Sequence, residues 1–163
     1  MTRPRMVLLI GCALAFSAIV GAQGTPRLAG TWKLATTNPP VAAGRGGGGG
    51  APGPGGPYGA TTFTAAPESL VITQTANDVT VQIGATKEVF TLDDKTTEAP
   101  VGDVNALKTR AHWEGAKLHL HYKQAMNFGR DVLSVNGDTL TMLRDLETGG
   151  QSTTRTMTYT KVQ

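Results

Sequence analysis

Apolar and polar residues alternate along most of the chain beyond residue 30. In residues 117–123, for example, Leu118, Leu120 and Tyr122 alternate with lysines and histidines. A period of two places successive side chains on opposite faces of a β-strand, whereas a helix needs a period of 3.6 residues. The alternation therefore predicts strands that each bury one face and expose the other, and no segment has a comparable helical period.

Turn-forming residues separate these segments at intervals of about ten residues. Asn136-Gly137 is a typical hairpin signal, and Glu114-Gly115 marks another turn. The predicted strands cover residues 31–37, 69–75, 79–83, 88–92, 107–113, 118–124, 130–135, 140–147 and 153–162. Residues 99–108 fit either a loop or a strand. The sequence thus predicts an all-β fold, an antiparallel up-and-down meander barrel of about 8–9 strands.

The first 22 residues have the three parts of a secretory signal peptide. Arg3 and Arg5 precede an apolar stretch at residues 6–20, and Val-Gly-Ala at residues 20–22 supplies the small residues of a cleavage site. Two alternatives stay open: a short membrane anchor, and a lipoprotein signal in which Cys12 receives a lipid. The segment predicts a secreted or periplasmic protein with no membrane span in the mature chain.

Cleavage after Ala22 changes the charge and the cysteine content of the chain. Without Arg3 and Arg5, 13 of the 15 basic residues remain against 12 acidic ones, a net charge of +1. So small a charge gives no electrostatic case for binding nucleic acid. Cys12 is the single cysteine, so the mature domain has neither a disulfide nor a cysteine-based metal site.

Residues 39–59 form a Gly/Pro-rich insert, with ten glycines in residues 44–59 and five prolines in residues 39–57. Such a segment has almost no apolar surface to bury and is predicted to be disordered. It divides the mature chain into residues 23–38, which hold the first barrel strand, and residues 60–163, which form the remainder of the barrel domain.

The segment Leu-Ala-Gly-Thr-Trp-Lys-Leu at residues 28–34 resembles the opening strand of the calycins, the superfamily of lipocalins and intracellular fatty-acid-binding proteins. Together with the insert and the turns at residues 113–118 and 136–140, it is similar to a group of uncharacterised secreted bacterial proteins of lipocalin-like architecture. The resemblance implies a barrel around an apolar ligand cavity. The two-helix lid of fatty-acid-binding proteins has no counterpart here, nor do the C-terminal helix and disulfides of lipocalins.

The resemblance also implies three ligand-binding residues. The tryptophan of the opening strand closes one end of a calycin barrel, which gives Trp32 this role. Fatty-acid-binding proteins hold the ligand carboxylate with an Arg-x-Tyr pair on the last strand, and the nearest pair here is Arg155 and Tyr159, which share a strand face. Two alternatives stay open for Arg155. It stacks on Trp32, as a basic residue does in lipocalins, or it is exposed on the surface.

All three histidines of the chain fall in one predicted hairpin. If its turn centres on residues 115–116, His112 lies directly opposite His119, and His121 follows two residues along the same face. Three imidazoles on adjacent strands can bind zinc and leave one coordination position open. The alternative is a solvated strand face that the histidines share with lysines.

No residue pattern indicates an enzyme. The serines lie in no Gly-x-Ser-x-Gly motif, and the glycine run lacks the Gly-Lys-Ser/Thr ending of a phosphate-binding loop. We therefore predict a non-enzymatic barrel without a cofactor that binds a small apolar or fatty-acid-like ligand. The alternative is a structural or protein-interaction domain of the cell envelope with no small ligand. The sequence contains no indication of the oligomeric state.

Deleting residues 44–56 is expected to change the free energy of unfolding by less than about 1 kcal/mol, because loop-closure entropy varies only logarithmically with loop length. Thermal melting of the parent chain and the deletion variant measures the change. Loss of the folding transition in the variant would show that the insert belongs to the folded domain.

Overall fold

The computed structural model of the chain describes residues 25–40, 66–99 and 106–163. The predicted signal peptide and nearly all of the predicted insert lie outside these ranges. Ten strands are present in the described residues: β1 Gly30–Asn38, β2 Ser69–Gln74, β3 Asp78–Ile83, β4 Thr86–Thr91, β5 Thr97–Ala99, β6 Leu107–Glu114, β7 Lys117–Gln124, β8 Asn127–Asn136, β9 Thr139–Thr148 and β10 Gln151–Val162. Within the same ranges, no helix has the length and apolarity needed to cross a bilayer.

The apolar positions of the alternating pattern are buried in the strands, and the polar positions between them are exposed to solvent to different degrees. In β7, Leu118, Leu120 and Tyr122 are buried, and the side chains between them are partly or fully exposed. Two-residue turns join β6 to β7 and β8 to β9, with Gly115 and Gly137 at φ values of +57° and +58°. Glycine enters this left-handed region without steric cost, so these positions set the register of their hairpins.

All ten strands belong to one antiparallel sheet, in the order β4-β3-β2-β1-β10-β9-β8-β7-β6-β5. The first strand pairs with the last along almost its whole length. The two edges of the sheet meet at a seam. There the Asp94 backbone N–H donates to the Ala111 carbonyl oxygen at 3.1 Å, and the Thr109 hydroxyl donates to the Val89 carbonyl oxygen at 3.4 Å. The sheet is therefore a nearly closed meander barrel, and the predicted all-β fold class is confirmed.

The barrel interior is filled by apolar side chains. Trp32 is completely buried, and its Nε1 atom donates a hydrogen bond to the Leu28 carbonyl oxygen at 2.9 Å. The other buried apolar residues of the described chain are Leu28, Leu70, Ile72, Val79, Val81, Phe90, Ala106, Leu107, Ala111, Leu118, Leu120, Tyr122, Leu133, Leu140, Met142, Leu146, Met157 and Tyr159. This core follows from the inward positions of the alternating strands.

The structure adds a tenth strand to the nine that the sequence predicts. β5 has only three residues and pairs with the beginning of β6. It ends at Ala99, the first residue of the stretch, residues 99–108, that fits either a loop or a strand. Three residues are too few to show a period of two, so the alternation cannot reveal this strand.

Gly129 lies directly opposite Tyr122 across β7 and β8. A β-carbon at Gly129 would lie 1.9 Å from Tyr122 Cε2, far inside van der Waals contact. The buried Tyr122 ring therefore occupies space that any other residue at position 129 would fill.

We expect Gly129→Ala to lower the free energy of unfolding by about 1–3 kcal/mol, because the Tyr122 ring has to move within a filled interior. Denaturant-induced unfolding measures the loss. Ser134→Ala on the outer face of the same strand is the control, with an expected change below about 0.5 kcal/mol. A Gly129→Ala variant as stable as the parent protein would contradict this packing.

Candidate functional site

The structure separates Arg155 from Trp32. Trp32 lies directly opposite Lys161 on β10, and Lys161 Nζ lies 5.6 Å from the centre of the indole ring. The interpretation that Arg155 stacks on Trp32 is therefore wrong. The offset between β1 and β10 places Arg155 beyond the end of β1, where its Nη1 donates to the Pro39 carbonyl oxygen at 2.8 Å.

Arg155 and Tyr159 share the inner face of β10, because they lie opposite the inward-facing Arg144 and Leu140 of β9. Tyr159 is completely buried, and its hydroxyl donates to the Pro67 carbonyl oxygen at 3.1 Å. Burial raises the pKa of this hydroxyl, so Tyr159 is neutral. Arg155 is only partly exposed, and its Nε atom has no hydrogen-bond partner among the described residues.

A buried ion pair lies inside the barrel. Arg144 on β9 donates from Nε and Nη2 to the two carboxylate oxygens of Asp131 on β8, at 2.7 and 2.6 Å. The Tyr122 hydroxyl donates to Asp131 Oδ1 at 3.3 Å, and burial raises the pKa of this tyrosine. Both charged side chains are at most 3% exposed. Buried charges are tolerated when they are paired with this bidentate geometry and further hydrogen bonds.

The sequence analysis missed Asp131 and Arg144, although the sequence contains the signal. Counting outward from the two-residue turn at residues 137–138 pairs Asp131 with Arg144, as the structure has it. Both residues are in phase with the apolar positions of their strands. Opposite charges at paired inward positions predict a buried ion pair, because charged residues are almost never fully buried without a partner.

A narrow crevice leads from the inner side of β3 and β4 to this ion pair. Its volume is about 10 Å³, which is about the space of one water molecule. The crevice is lined by Val81, Ile83, Thr86, Glu88, Phe90, Leu120, Tyr122, Asp131 and Arg144. The wall of the crevice is thus mainly apolar, and its inner end is charged.

A wider groove of about 530 Å³ crosses the outer face of β6 to β10. The outward side chains that line it are Lys108, Arg110, His121, Lys123, Phe128, Arg130, Asp145, Glu147, Ser152 and Thr154. Arg110 and Arg130 are paired with carboxylates, and Lys123 Nζ lies 4.7 Å from the centre of the Phe128 ring. Neighbouring acidic groups therefore balance the two arginines of the groove.

The three histidines form a cluster on the outer face of the β6–β7 hairpin. His112 lies directly opposite His119, as predicted, and one ligand nitrogen from each of the three histidines lies within 4.8 Å of the others. The rings of His119 and His121 stack against that of His112, at centroid distances of 5.1 and 5.8 Å. All three side chains are partly exposed, and Lys117 and Lys123 on the same face of β7 are exposed.

Two carboxylates flank the histidine cluster. His112 Nδ1 lies 3.0 Å from Asp94 Oδ1, and His119 Nε2 lies 3.0 Å from Glu114 Oε2. Neither contact has the alignment of a hydrogen bond. Burial lowers the pKa of His119 and also that of His121, so both imidazoles are neutral at pH 7.

Comparison with known proteins identifies the architecture. No protein-family model and no curated protein matches the sequence. The structure is similar to that of the REP1-NXSQ fatty acid transporter, with a TM-score of 0.51 and 17% identity over 83% of this chain and 96% of that protein. The fold is a calycin-like barrel.

Two other calycin-like barrels are more distant in structure. Fatty-acid-binding protein 1 of Echinococcus granulosus has a TM-score of 0.49 at 11% identity, covering 83% of this chain and 98% of that one. A SAHS protein of Ramazzottius varieornatus has a TM-score of 0.46 at 17% identity, covering 58% and 70%. At such identities the likeness extends to the barrel architecture alone.

The inner ion pair gives a prediction about stability. Arg144→Met is expected to lower the free energy of unfolding by about 3–5 kcal/mol, because Asp131 is left buried without its cation. The double variant Arg144→Met/Asp131→Leu removes both charges and is expected to regain most of the lost free energy of unfolding. The matched control, Arg130→Met, breaks the outer pair with Asp145 and is expected to cost about 0–1 kcal/mol. Equal losses in the two single variants, measured by denaturant unfolding, would contradict the role of burial.

The histidine cluster predicts that stability falls as the pH is lowered from 7 to 5. Burial holds the pKa values of His119 and His121 below the ordinary value of 6.5 in the folded protein. The unfolded chain therefore binds more protons in this range. This contribution to stability is present above pH 6.5, the ordinary pKa, and is lost as the pH falls from that value through the lower pKa values of the folded protein.

Unfolding free energies at pH 7, 6 and 5 measure this dependence. The double variant His119→Gln/His121→Gln is expected to have a flatter profile than the parent protein. Arg110 holds the pKa of Asp94 below 3.8, so this carboxylate titrates outside the range. Identical profiles for the two proteins would show that other groups cause the loss.

Proposed function

We propose that the chain is a secreted, non-enzymatic calycin-like protein that binds a small apolar ligand with an anionic head group, such as a fatty acid. The observation that carries the proposal is a pair of inward arginines that are direct cross-strand neighbours, Arg144 and Arg155, of which Arg144 lies at the inner end of the crevice. A mostly apolar site with a few convergent polar groups is typical of small-molecule binding.

The two arginines differ in their partners. Asp131 neutralises Arg144 with two hydrogen bonds. Arg155 donates to the Pro39 carbonyl oxygen, and its partly buried guanidinium has no carboxylate partner among the described residues. Arg155 is therefore the group that would bind a ligand carboxylate, and Tyr159 lies further along the same strand face. Trp32 would serve the site by packing the interior rather than by touching the head group.

The apolar part of the ligand would enter from the seam. The crevice holds about one water molecule in this state, so Ile83 and Leu120 would have to move for an acyl chain to enter. The seam is the place where the barrel opens at least cost, because β4 and β6 are joined by isolated hydrogen bonds rather than a ladder. The fatty acid transporter with a similar barrel supports a ligand of this class.

Secretion is the second part of the proposal, and residues 1–22 support it. The charged start, the apolar stretch and the small residues before position 23 direct a chain across a membrane and are then removed. The mature protein would act outside the cell or in the periplasm.

A structural or protein-interaction domain without a small ligand is the second candidate function. The filled interior favours it, since the crevice is about 10 Å³ in volume. The two candidates differ in one measurable property, the uptake of an apolar ligand by the barrel.

Titration with a long-chain fatty acid, followed by tryptophan fluorescence, tests the proposal. Arg155→Gln is expected to weaken fatty-acid binding by about tenfold or more, because a hydrogen bond to a charged group is worth about 1.5–3 kcal/mol. Binding of the fatty alcohol of equal length should not change. Arg27→Gln, an exposed residue outside the barrel strands, is the charge-matched control.

A second pair of variants tests the position of the apolar chain. Ile83→Trp fills the crevice and is expected to abolish binding, whereas Val71→Trp, at an exposed position on β2, should leave binding unchanged. Absence of saturable binding to the parent protein would reject the ligand-binding function and favour the structural alternative. Equal effects of the two tryptophan variants would reject the crevice as the site.

A further inference from the structure

We propose that His112, His119 and His121 bind one first-row transition-metal ion, with Zn²⁺ as the reference ion, on the outer face of the β6–β7 hairpin. The site is separate from the barrel interior, so it is independent of the proposed ligand-binding function. It assigns a role to the three histidines of the chain, which the apolar ligand does not use.

The backbone brings the three side chains together. His112 and His119 are direct cross-strand neighbours, and His121 follows on the same face of β7. Three ligand nitrogens, one from each residue, lie within 4.8 Å of one another. Tetrahedral coordination with Zn–N bonds of about 2.0–2.1 Å requires nitrogens about 3.3–3.4 Å apart. We expect rotation of the histidine side chains to bring the nitrogens to this spacing when the ion binds.

The stacked rings show which movement is needed. The planes of His119 and His121 lie within 13° of the plane of His112. Parallel rings present their nitrogens side by side rather than toward a common point. A metal ion would turn the rings out of the stack. This change in the orientation of the imidazole rings would be detectable by spectroscopy.

Asp94 and Glu114 are in position to orient two of the ligands. Metal-bound histidines usually donate their other ring N–H to a carboxylate, which fixes the tautomer and the ring direction. Asp94 Oδ1 lies 3.0 Å from His112 Nδ1, which leaves Nε2 of that ring for the metal. Glu114 Oε2 lies 3.0 Å from His119 Nε2, which leaves Nδ1. A small ring rotation would align both contacts as hydrogen bonds.

The charges around the cluster permit a cation. Metal ions bind the neutral form of the imidazole ring. Asp94 holds the guanidinium of Arg110 with two hydrogen bonds, and Asp145 holds that of Arg130. These neighbouring arginines are therefore already neutralised. Lys117 adds a positive charge on the His119 face, and its cross-strand neighbour Glu114 adds a negative charge beside His119.

Three imidazole ligands define the class of ion. Such nitrogen sites suit Zn²⁺, Cu²⁺ and Ni²⁺, whereas Ca²⁺ and Mg²⁺ prefer oxygen ligands. Three protein ligands leave a fourth position open to water or to an added ligand. His121 also lines the outer groove, so this position is reached from solvent.

Metal titration of the tag-free full chain tests the site. Zn²⁺ binding is measured by calorimetry, and Co²⁺ binding by the visible absorption of four-coordinate cobalt. We expect one ion per chain, a rise in melting temperature with Zn²⁺, and no response to Mg²⁺. His121→Gln and His119→Gln are each expected to weaken Zn²⁺ binding by more than about tenfold, because loss of an outer-shell partner alone costs about 10–100-fold.

Lys123→Gln is the matched control, since Lys123 lies on the same strand face, two residues beyond His121. The Lys123→Gln variant is expected to bind Zn²⁺ with the same affinity as the parent protein. Glu114→Gln tests the positioning role: Zn²⁺ affinity should fall about tenfold while the stability of the metal-free protein stays the same. Absence of binding to the parent protein, or equal affinity in the parent and the histidine variants, would overturn the proposal.

Discussion

The pairing of the first strand with the last holds this barrel together. β1 joins the β2–β4 half of the sheet to β10, and β10 leads into the β5–β9 half. Without this ladder the two halves would meet only at the seam, through isolated hydrogen bonds. The offset of the same ladder places Lys161 over Trp32 and leaves Arg155 at the end of β1. The closure of the barrel and the position of its proposed ligand-binding arginine therefore have one cause.

The interior combines a filled apolar core with one buried charge pair. Burying Arg144 and Asp131 is tolerated because their contact is bidentate and Tyr122 adds a hydrogen bond. The pair gives the barrel a polar centre that an all-apolar core would lack. It also occupies Arg144, which is why Arg155 is the arginine we propose for binding an anion.

The outer face of the barrel carries a separate set of groups. The histidine cluster lies on β6 and β7, while the inner side of the same strands faces the core through Ala111, Leu118 and Leu120. Changes to the histidines therefore leave the core packing in place. This separation makes the two proposals independently testable in one protein.

Much of this arrangement could be predicted from local sequence. The period of two gave the strands, and the turn at residues 115–116 gave the pairing of His112 with His119. The same counting from the turn at residues 137–138 would have paired Asp131 with Arg144. Register across a two-residue turn is a local property, because the turn geometry sets it.

The sequence by itself determined the strands, their inward and outward faces and the register of the short hairpins. Only the tertiary structure decided how β1 lies along β10, where the seam falls and how completely the core fills the barrel. The register between β1 and β10 shifts between Leu34 and Thr36. This ladder pairs residues that are more than a hundred positions apart in the sequence. Such long-range pairing depends on the packing of the whole interior, which no local pattern contains.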